Sequence, residues 1–458
     1  MESCDVVVIG AGFAGLAAAE TLADAACDVL VVEARDRVGG RSYSEVRPDG
    51  VVIDHGGQWV GPTQSRLLAL AEKHGIKTFP THDTGNNLER NKGELFTYTG
   101  PIPTSDPDAV SDAIAAMLDL NLMALEVPVD APWTAAQARE WDSITMQSWV
   151  DAEVESVGGR NALALAIQAV FSAEPCDLSL LHFLFYVHAA GGLTQLLGVT
   201  GCAQDARFFG GSQSVANAVA ESLGDRVRLS SPCRRVVWEA DGVTVTFDGG
   251  EVQASYAIVA VSPSIASRLD YRPPMPGLRD QLTQRMPLGT VIKIHAIYDR
   301  PFWREAGLSG QATADTGPVR VVFDNSPADA SVGILMAFIE GEEGRIWGAR
   351  SVAERREETL ATFAGLFGDA AAHPFDYTEK VWADDEWARG GYAGLMLPGA
   401  WTSYGAALRE PVGRIHWAGT ETATEWAGYI DGAVRSGERA AAEVIARLDQ
   451  RSTNGNCS

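Results

Sequence analysis

The first forty residues alternate between apolar and polar stretches in a way that fixes three elements. Val6–Ile9 is a short apolar run between Asp5 and Gly10. Ala14–Ala25 is rich in helix formers, and Val29–Val32 is a second apolar run ending at Glu33. Uninterrupted apolar runs of this length mark strands buried on both faces, so the pattern predicts a βαβ unit with parallel strands. From about Phe79 to Gln204 the chain reads mainly helical, with segments poor in turn residues at Ala109–Leu125 and Ser143–Glu155. Leu178–Ala203 carries no formal charge and is long enough to span a bilayer. His182, His188, Gly191, Gly192, Thr194, Gln195 and Thr200 interrupt it, so a buried helix from Leu178 to about Ala190 followed by a loop is expected. The period then changes. Val227–Leu229, Val236–Glu239, Val243–Phe247 and Tyr256–Val261 are short β-branched runs separated by Gly, Asp, Ser and Pro, which predicts strands and hairpins. Thr290–Tyr298 and Val332–Ile339 read as further strands. Gly432–Leu448 reads as a closing helix with one buried and one wet face.

The 458 residues exceed what one core organises, since domains hold about 100–200 residues. No repeat and no low-complexity linker divides them, so the domains are expected to be discontinuous. Apolar residues make up 46% and charged residues 21%, an ordinary globular balance. The net charge of −24 argues against nucleic acid and anionic membrane surfaces, both of which need basic patches. Cys4, Cys27, Cys176, Cys202, Cys233 and Cys457 are scattered without a C-x-x-C, and the eight histidines show no metal spacing. No metal site is expected, and a reducing cytosol is the simplest setting. No basic segment precedes the apolar run at Val6, so no signal peptide is expected, and the polar tail from Asp449 holds no anchor.

Gly10-Ala11-Gly12-Phe13-Ala14-Gly15 is a G-x-G-x-x-G between a predicted strand and a predicted helix. Gly10 permits the tight turn, Gly12 a close approach of backbone to pyrophosphate, and Gly15 close packing of helix on strand. Glu33, at the end of the second strand, is placed to accept from ribose hydroxyls and disfavours a 2′-phosphate, which leaves FAD or NAD. Arg37-Val38-Gly39-Gly40-Arg41 and Asp54-His55-Gly56-Gly57-Gln58-Trp59 add two glycine turns that a bare NAD domain does not need. The arginines are suited to meet phosphate. Lys293 stands among Val291, Ile292 and Ile294, where a lysine is costly without partners.

These runs resemble the flavin-containing monoamine oxidases. VVVIGAGFAGLAAAETL, VLVVEARDRVGGRSYS and IDHGGQWVGPTQSRLLALAEKHGI carry the likeness at the start, and RIHWAGTETATEWAGYIDGAVRSGERAAAEVI at the end. RFFGGSQSVANAVAESLGDRVRLSSPCRRV and MPLGTVIKIHAIYDRPFW match in order between them, so the resemblance spans about Asp5 to Leu448. It is nearest to soluble bacterial amine oxidases, including those acting on cyclohexylamine-like substrates. It implies an α/β two-domain flavoprotein with a Rossmann-like FAD domain from residues 1–78, 209–280 and 385–450. Residues 79–208 and 281–384 would form the substrate domain, with 451–458 as a polar tail.

The resemblance assigns Lys293 to a water beside flavin N5, Tyr392 and Tyr429 to the two flanks of the amine, and Trp382 to the flavin ring. It assigns the turn residues Gly10, Gly12, Phe13, Ala14 and Gly15 to the cofactor, together with Glu33, Ala34, Arg35, Gly39, Gly40, Arg41, Gly56, Gly57, Gln58, Trp59 and Cys233. Thr420 and Glu421 fall near the ribityl chain and phosphates, and Gly432 and Ala433 open a helix aimed at the flavin N1/C2 edge. Leu197 and Gln204 line the substrate path, with Phe323, Met336 and Phe338 as further wall candidates. Gly391 stands where a cysteine binds FAD covalently in mammalian relatives, so noncovalent FAD is expected. The implied reaction is oxidative deamination of a primary amine, alicyclic or arylalkyl, with O2 reduced to H2O2. An L-amino-acid or polyamine oxidase, a dehydrogenase using another acceptor, and a non-catalytic FAD-binding protein stay open at this point, as does a homodimer.

Overall fold

The structure is a computed structural model that describes residues 2–100 and 102–455. Two large sheets organise it. In the first, the strand Glu2–Ile9 lies parallel to Val29–Val32 on one side and to Gly250–Val259 on the other. Its order runs Val227–Arg228, Val29–Val32, Glu2–Ile9, Gly250–Val259, Val243–Phe247, Cys233–Trp238, Asp270–Arg272, with Ile415–Trp417 also laid against Gly250–Val259. Val6, Val7 and Val8 are fully buried, as an uninterrupted apolar run in a covered parallel sheet requires. The helix Phe13–Asp24 covers one face and packs directly on the last helix, Ile430–Gly455. A Cβ on Gly437 would lie 2.1 Å from the Ala14 carbonyl oxygen, so the two backbones are nearly in contact.

The second sheet runs Asp376–Val381, Val291–Tyr298, Gly333–Glu340, Val321–Asp324, Leu308–Ala314, Asn86–Asn91, Glu94–Tyr98. A helical layer, including Pro107–Leu125, Met146–Glu153, Val157–Phe171 and Leu180–Ala190, builds the largest core beside it. Leu180–Ala190 buries every residue except His188 and ends at Gly191 in the left-handed region, followed by a short helix, Leu193–Leu197. No helix among the described residues is long and apolar enough to cross a membrane.

Several expectations change in detail. Residues 86–98 are a hairpin inside the stretch read as helical. Lys92 (φ 52°) and Gly93 (φ 83°) form its turn, and only a few apolar side chains mark its buried face. Ser143–Glu155 is not one helix: Ile144 and Thr145 break it, and the Thr145 side chain accepts from Ser148 N at 3.1 Å to cap Met146–Glu153. The closing helix starts earlier and runs later than Gly432–Leu448. The polar tail continues it to Gly455, and residues 456–458, with Cys457, lie outside the described residues.

Candidate active site and cofactor cradle

A cavity runs from the edge of the first sheet to the second, with about 1800 Å3 of space when its open mouth is included. Its first end is bare backbone. Gly10 adopts φ 102°, and a Cβ on Gly15 would sit 1.8 Å from the Gly10 carbonyl oxygen, so neither position admits another residue. Gly12 ends the loop without a side-chain cap, leaving the first amides of Phe13–Asp24 free to face a ligand. Gly39 and Gly40 lie directly against it, with a bridge between Gly12 and Gly39.

Glu33 locks this turn. Its two carboxylate oxygens accept from Ala11 N at 2.7 Å and Arg35 N at 2.9 Å, each keeping a further acceptor site. Arg37 differs from expectation. Its guanidinium donates to the carbonyls of Val38, Gly40 and Ser42, holding the glycine turn from behind rather than facing the cavity. Arg41 does face the cavity and donates to Glu421 at 2.6 and 3.2 Å and to the Tyr392 carbonyl at 2.8 Å. Burial alone pushes the Glu421 carboxyl up, but the charge and hydrogen bonds of Arg41 outweigh it and hold it below the ordinary range.

Lys293 occupies the middle of the cavity. All eight residues of its strand are buried, and its ammonium reaches the Gly56 carbonyl at 2.8 Å and Gln58 Oε1 at 2.5 Å. Burial lowers its pKa to about 7, which Asp54 partly opposes and Arg207 reinforces. Gln58 passes the network on, donating to Asn325 Oδ1 at 2.8 Å, which also accepts from the buried Arg207. Trp59 and Phe338 flank the ammonium at 5.8 and 5.7 Å.

Beyond Lys293 the walls are apolar. Phe338 stands edge-on to Tyr392 at 5.9 Å, Phe323 to Trp59 at 5.2 Å, and Tyr429 to Trp426 at 4.9 Å. Leu197 and Gln204 complete the expected lining; Gln204 Nε2 donates to the Leu196 carbonyl, while its Oε1 is buried without a partner. Trp382 lines the cavity and donates to the His55 carbonyl at 2.8 Å.

The chain belongs to the family of flavin-containing amine oxidoreductases. That family matches residues 13–445. AofH of Mycobacterium tuberculosis, provisionally named a flavin-containing monoamine oxidase, is 46% identical over 97% of both chains. An L-amino acid dehydrogenase of Synechocystis is 39% identical over 98% of this chain and 96% of its own. Among solved structures, a putrescine oxidase bound to putrescine superposes with a TM-score of 0.92 at 36% identity. The cyclohexylamine oxidase of Brevibacterium oxydans superposes with a TM-score of 0.94 at 33% identity. Each covers 97% of this chain and 99% of its own.

FAD is therefore the cofactor of this amine oxidase, and the residues present fit it. Gly10, Gly39 and Gly56 line the cavity in turns where a Cβ would press on neighbouring backbone, the free amides of Phe13–Asp24 suit a pyrophosphate, and Glu33 suits a ribose. Gly10, Gly12, Phe13, Ala14, Glu33, Arg35, Gly39, Gly40, Arg41, Gly56, Gly57, Gln58, Trp59, Trp382, Gly391, Thr420 and Ala433 all line the cavity.

Six expected site residues do not line it. Gly15 and Gly432 are packing glycines; a Cβ on Gly432 would meet the Trp426 carbonyl oxygen at 2.1 Å. Ala34 and Cys233 stand off the lining, and Glu421 acts through Arg41. Met336 is fully buried two residues behind Phe338 on the same face of its strand, deeper than the cavity reaches. Sequence reasoning missed Ala169, Val170, Tyr186, Leu196, Ala203, Val321, Trp387 and Ala388. Only Tyr186 left a signal, as the one phenol in an uncharged helix. Gly428 makes room for it, since a Cβ there would lie 2.1 Å from the Tyr186 hydroxyl.

Proposed function

We propose that this amine oxidase takes a primary amine with a compact apolar body, alicyclic or arylalkyl, and passes electrons to O2 to give H2O2. One observation carries the substrate class. Apart from Lys293, every charged residue lining the cavity (Glu33, Arg35 and Arg41) comes from the N-terminal glycine-rich segment. Apart from Lys293, the walls supplied by the helical layer and the second sheet are Ala169, Val170, Tyr186, Leu196, Leu197, Ala203, Gln204, Val291, Val321, Phe323 and Phe338. A second ammonium finds no carboxylate there, and an amino-acid carboxylate finds no guanidinium. This weighs against putrescine and amino acids as best substrates, although relatives named for both match the chain.

Bound FAD supplies the two-electron acceptor for the amine's α-hydrogen. The chain does the rest. The apolar walls desolvate the ammonium and favour its neutral form. Tyr392 and Tyr429 would flank the amine and orient it, and Lys293, held by Gly56 and Gln58, would hold a water beside the bound flavin. Gly391, where a side chain would come within 3.2 Å of Val291, and the absence of any described cysteine from the lining support noncovalent FAD. The division into an FAD domain (1–78, 209–280, 385–450) and a substrate domain (79–208, 281–384) belongs to the same proposal, supported by the separation of the two sheets. Cys4, Cys27, Cys176, Cys202 and Cys233 are free, which supports a cytosolic setting.

An amine panel scored for peroxide tests the substrate class. Cyclohexylamine or benzylamine should exceed putrescine and L-leucine in kcat/KM by at least about tenfold, roughly 1.4 kcal/mol in transition-state binding. Putrescine or L-leucine at the head of the panel overturns it.

A further inference from the structure

The strand Gly333–Glu340 ends on a carboxyl group that the reaction described above does not use. Glu340 follows seven apolar or small residues, is 7% exposed, and does not line the cavity. Its side chain nevertheless reaches the site through one neighbour: the Tyr392 hydroxyl donates to Glu340 Oε1 at 2.7 Å. Tyr392 lines the cavity and meets Phe338, two residues before Glu340 on the same strand, edge to face. The phenol is thus held at two places by one strand, by its ring edge and by its hydroxyl.

We propose that Glu340 is the positioning residue for amine binding: its buried carboxyl fixes the phenol of Tyr392, and its ionised form supplies from behind the wall the negative charge that the wall lacks. The proposal rests on the assignment of Tyr392 to the amine flank. A carboxylate there attracts an ammonium entering the cavity without touching it.

The charge state of Glu340 changes within the working range. Burial raises its pKa to about 8, the Tyr392 hydrogen bond opposing and Glu174 reinforcing the rise. Two titratable groups face it. Tyr392 is held protonated by burial and by Glu340 itself. Glu174, in the turn after Val157–Phe171, accepts from Gln168 Nε2 at 2.8 Å and from Glu342 N at 2.8 Å. Arg345, the cation beside that turn, is paired with Asp177 at 3.0 Å, and Lys293, on the strand paired with Gly333–Glu340, is held by Gly56 and Gln58. Glu340 therefore gains negative charge as the pH rises from 7 to 9.

The test uses the FAD-loaded enzyme and cumylamine, whose amine-bearing carbon has no hydrogen and cannot be oxidised. Its Kd is read from the flavin absorbance change between pH 6.5 and 9.5 for wild type, Glu340→Gln and Glu340→Leu. Glu340→Gln keeps an acceptor for Tyr392 but no charge, so wild type should gain at least about threefold in affinity over it between pH 7 and 9. Glu340→Leu removes the acceptor too and should weaken binding about tenfold across the range, with KM for benzylamine rising more than kcat falls. If Glu340→Leu fails to fold, the Glu340→Gln comparison decides alone. Superimposable pH titrations of wild type and Glu340→Gln, in an enzyme that oxidises amines, overturn the inference and leave the cavity reading standing. A wild-type holoenzyme that binds no amine overturns both.

Discussion

Arg41 and Glu421, 380 residues apart in the chain, form a two-point ion pair between the glycine turns and the last segment of the fold, with Arg41 also holding the Tyr392 carbonyl. Glu421 has no exposed side-chain surface, and Arg41, backed by the Gly394 amide at 3.2 Å and its own backbone amide, compensates its burial. Removing one partner of such a pair costs about 3–5 kcal/mol, because the other charge stays buried. Arg41→Ala should therefore lose both stability and FAD, seen as a lower Tm and a reduced flavin-to-protein absorbance ratio. Glu421→Gln should lose less, since it keeps hydrogen-bonding atoms. Full flavin content in Arg41→Ala would show that the pair does not hold the cradle.

FAD should leave the protein on denaturation. No described cysteine lines the cavity, and Gly391 leaves no thiol beside the flavin site. Acid treatment followed by filtration should pass all yellow colour into the filtrate. Colour retained with the polypeptide contradicts noncovalent binding.

Lys293→Met should reduce turnover by at least about a hundredfold while flavin content stays near that of wild type. Rapid mixing with amine and then with O2 identifies the half-reaction that suffers; wild-type rates in both would make Lys293 a packing residue. The same pair of proteins carries a pH signature. Lys293 titrates near 7 in the folded chain and near about 10.4 unfolded. Between those values the unfolded chain holds a proton that the folded chain has released, so stability rises with pH. The Tm of wild type should therefore gain on that of Lys293→Met from pH 7 to 10, and a constant difference would refute the burial of an ionisable group.

Gln204→Glu should redirect specificity. The residue lines the cavity with a buried, unpartnered Oε1, so a carboxylate there meets the second nitrogen of a diamine. The ratio of kcat/KM for putrescine to that for cyclohexylamine should rise by about tenfold. A ratio that stays constant places Gln204 away from the substrate.

Much of this site was legible because its residues break local rules. Gly10 and Gly15 sit where strand, turn and helix cannot meet otherwise, and Lys293 stands between Ile292 and Ile294 in a fully buried strand. Residues that obey local rules were not legible. Ala169, Val170 and Leu196 are ordinary helix positions, and only the approach of two remote segments makes them a wall. Met336 shows the converse. The alternation of its strand places it on the correct face, but depth along that face is set by the crossing of sheets, which no pattern records. The hairpin 86–98 was lost for a related reason: an edge of a sheet buries too little to write a clear alternation.

The packing of Gly437 on Ala14, with Ala433 lining the cavity opened by Gly10 and Gly12, also sets an order of events in time. The glycine turn is synthesised well before the helix that closes over it. A nascent chain on the ribosome therefore holds half a cradle, and flavin capture waits until residues beyond Ala433 have been made. Chains that stop before Ala433 should be colourless however well their first sheet folds, so yellow colour in a preparation counts chains that extend past that helix.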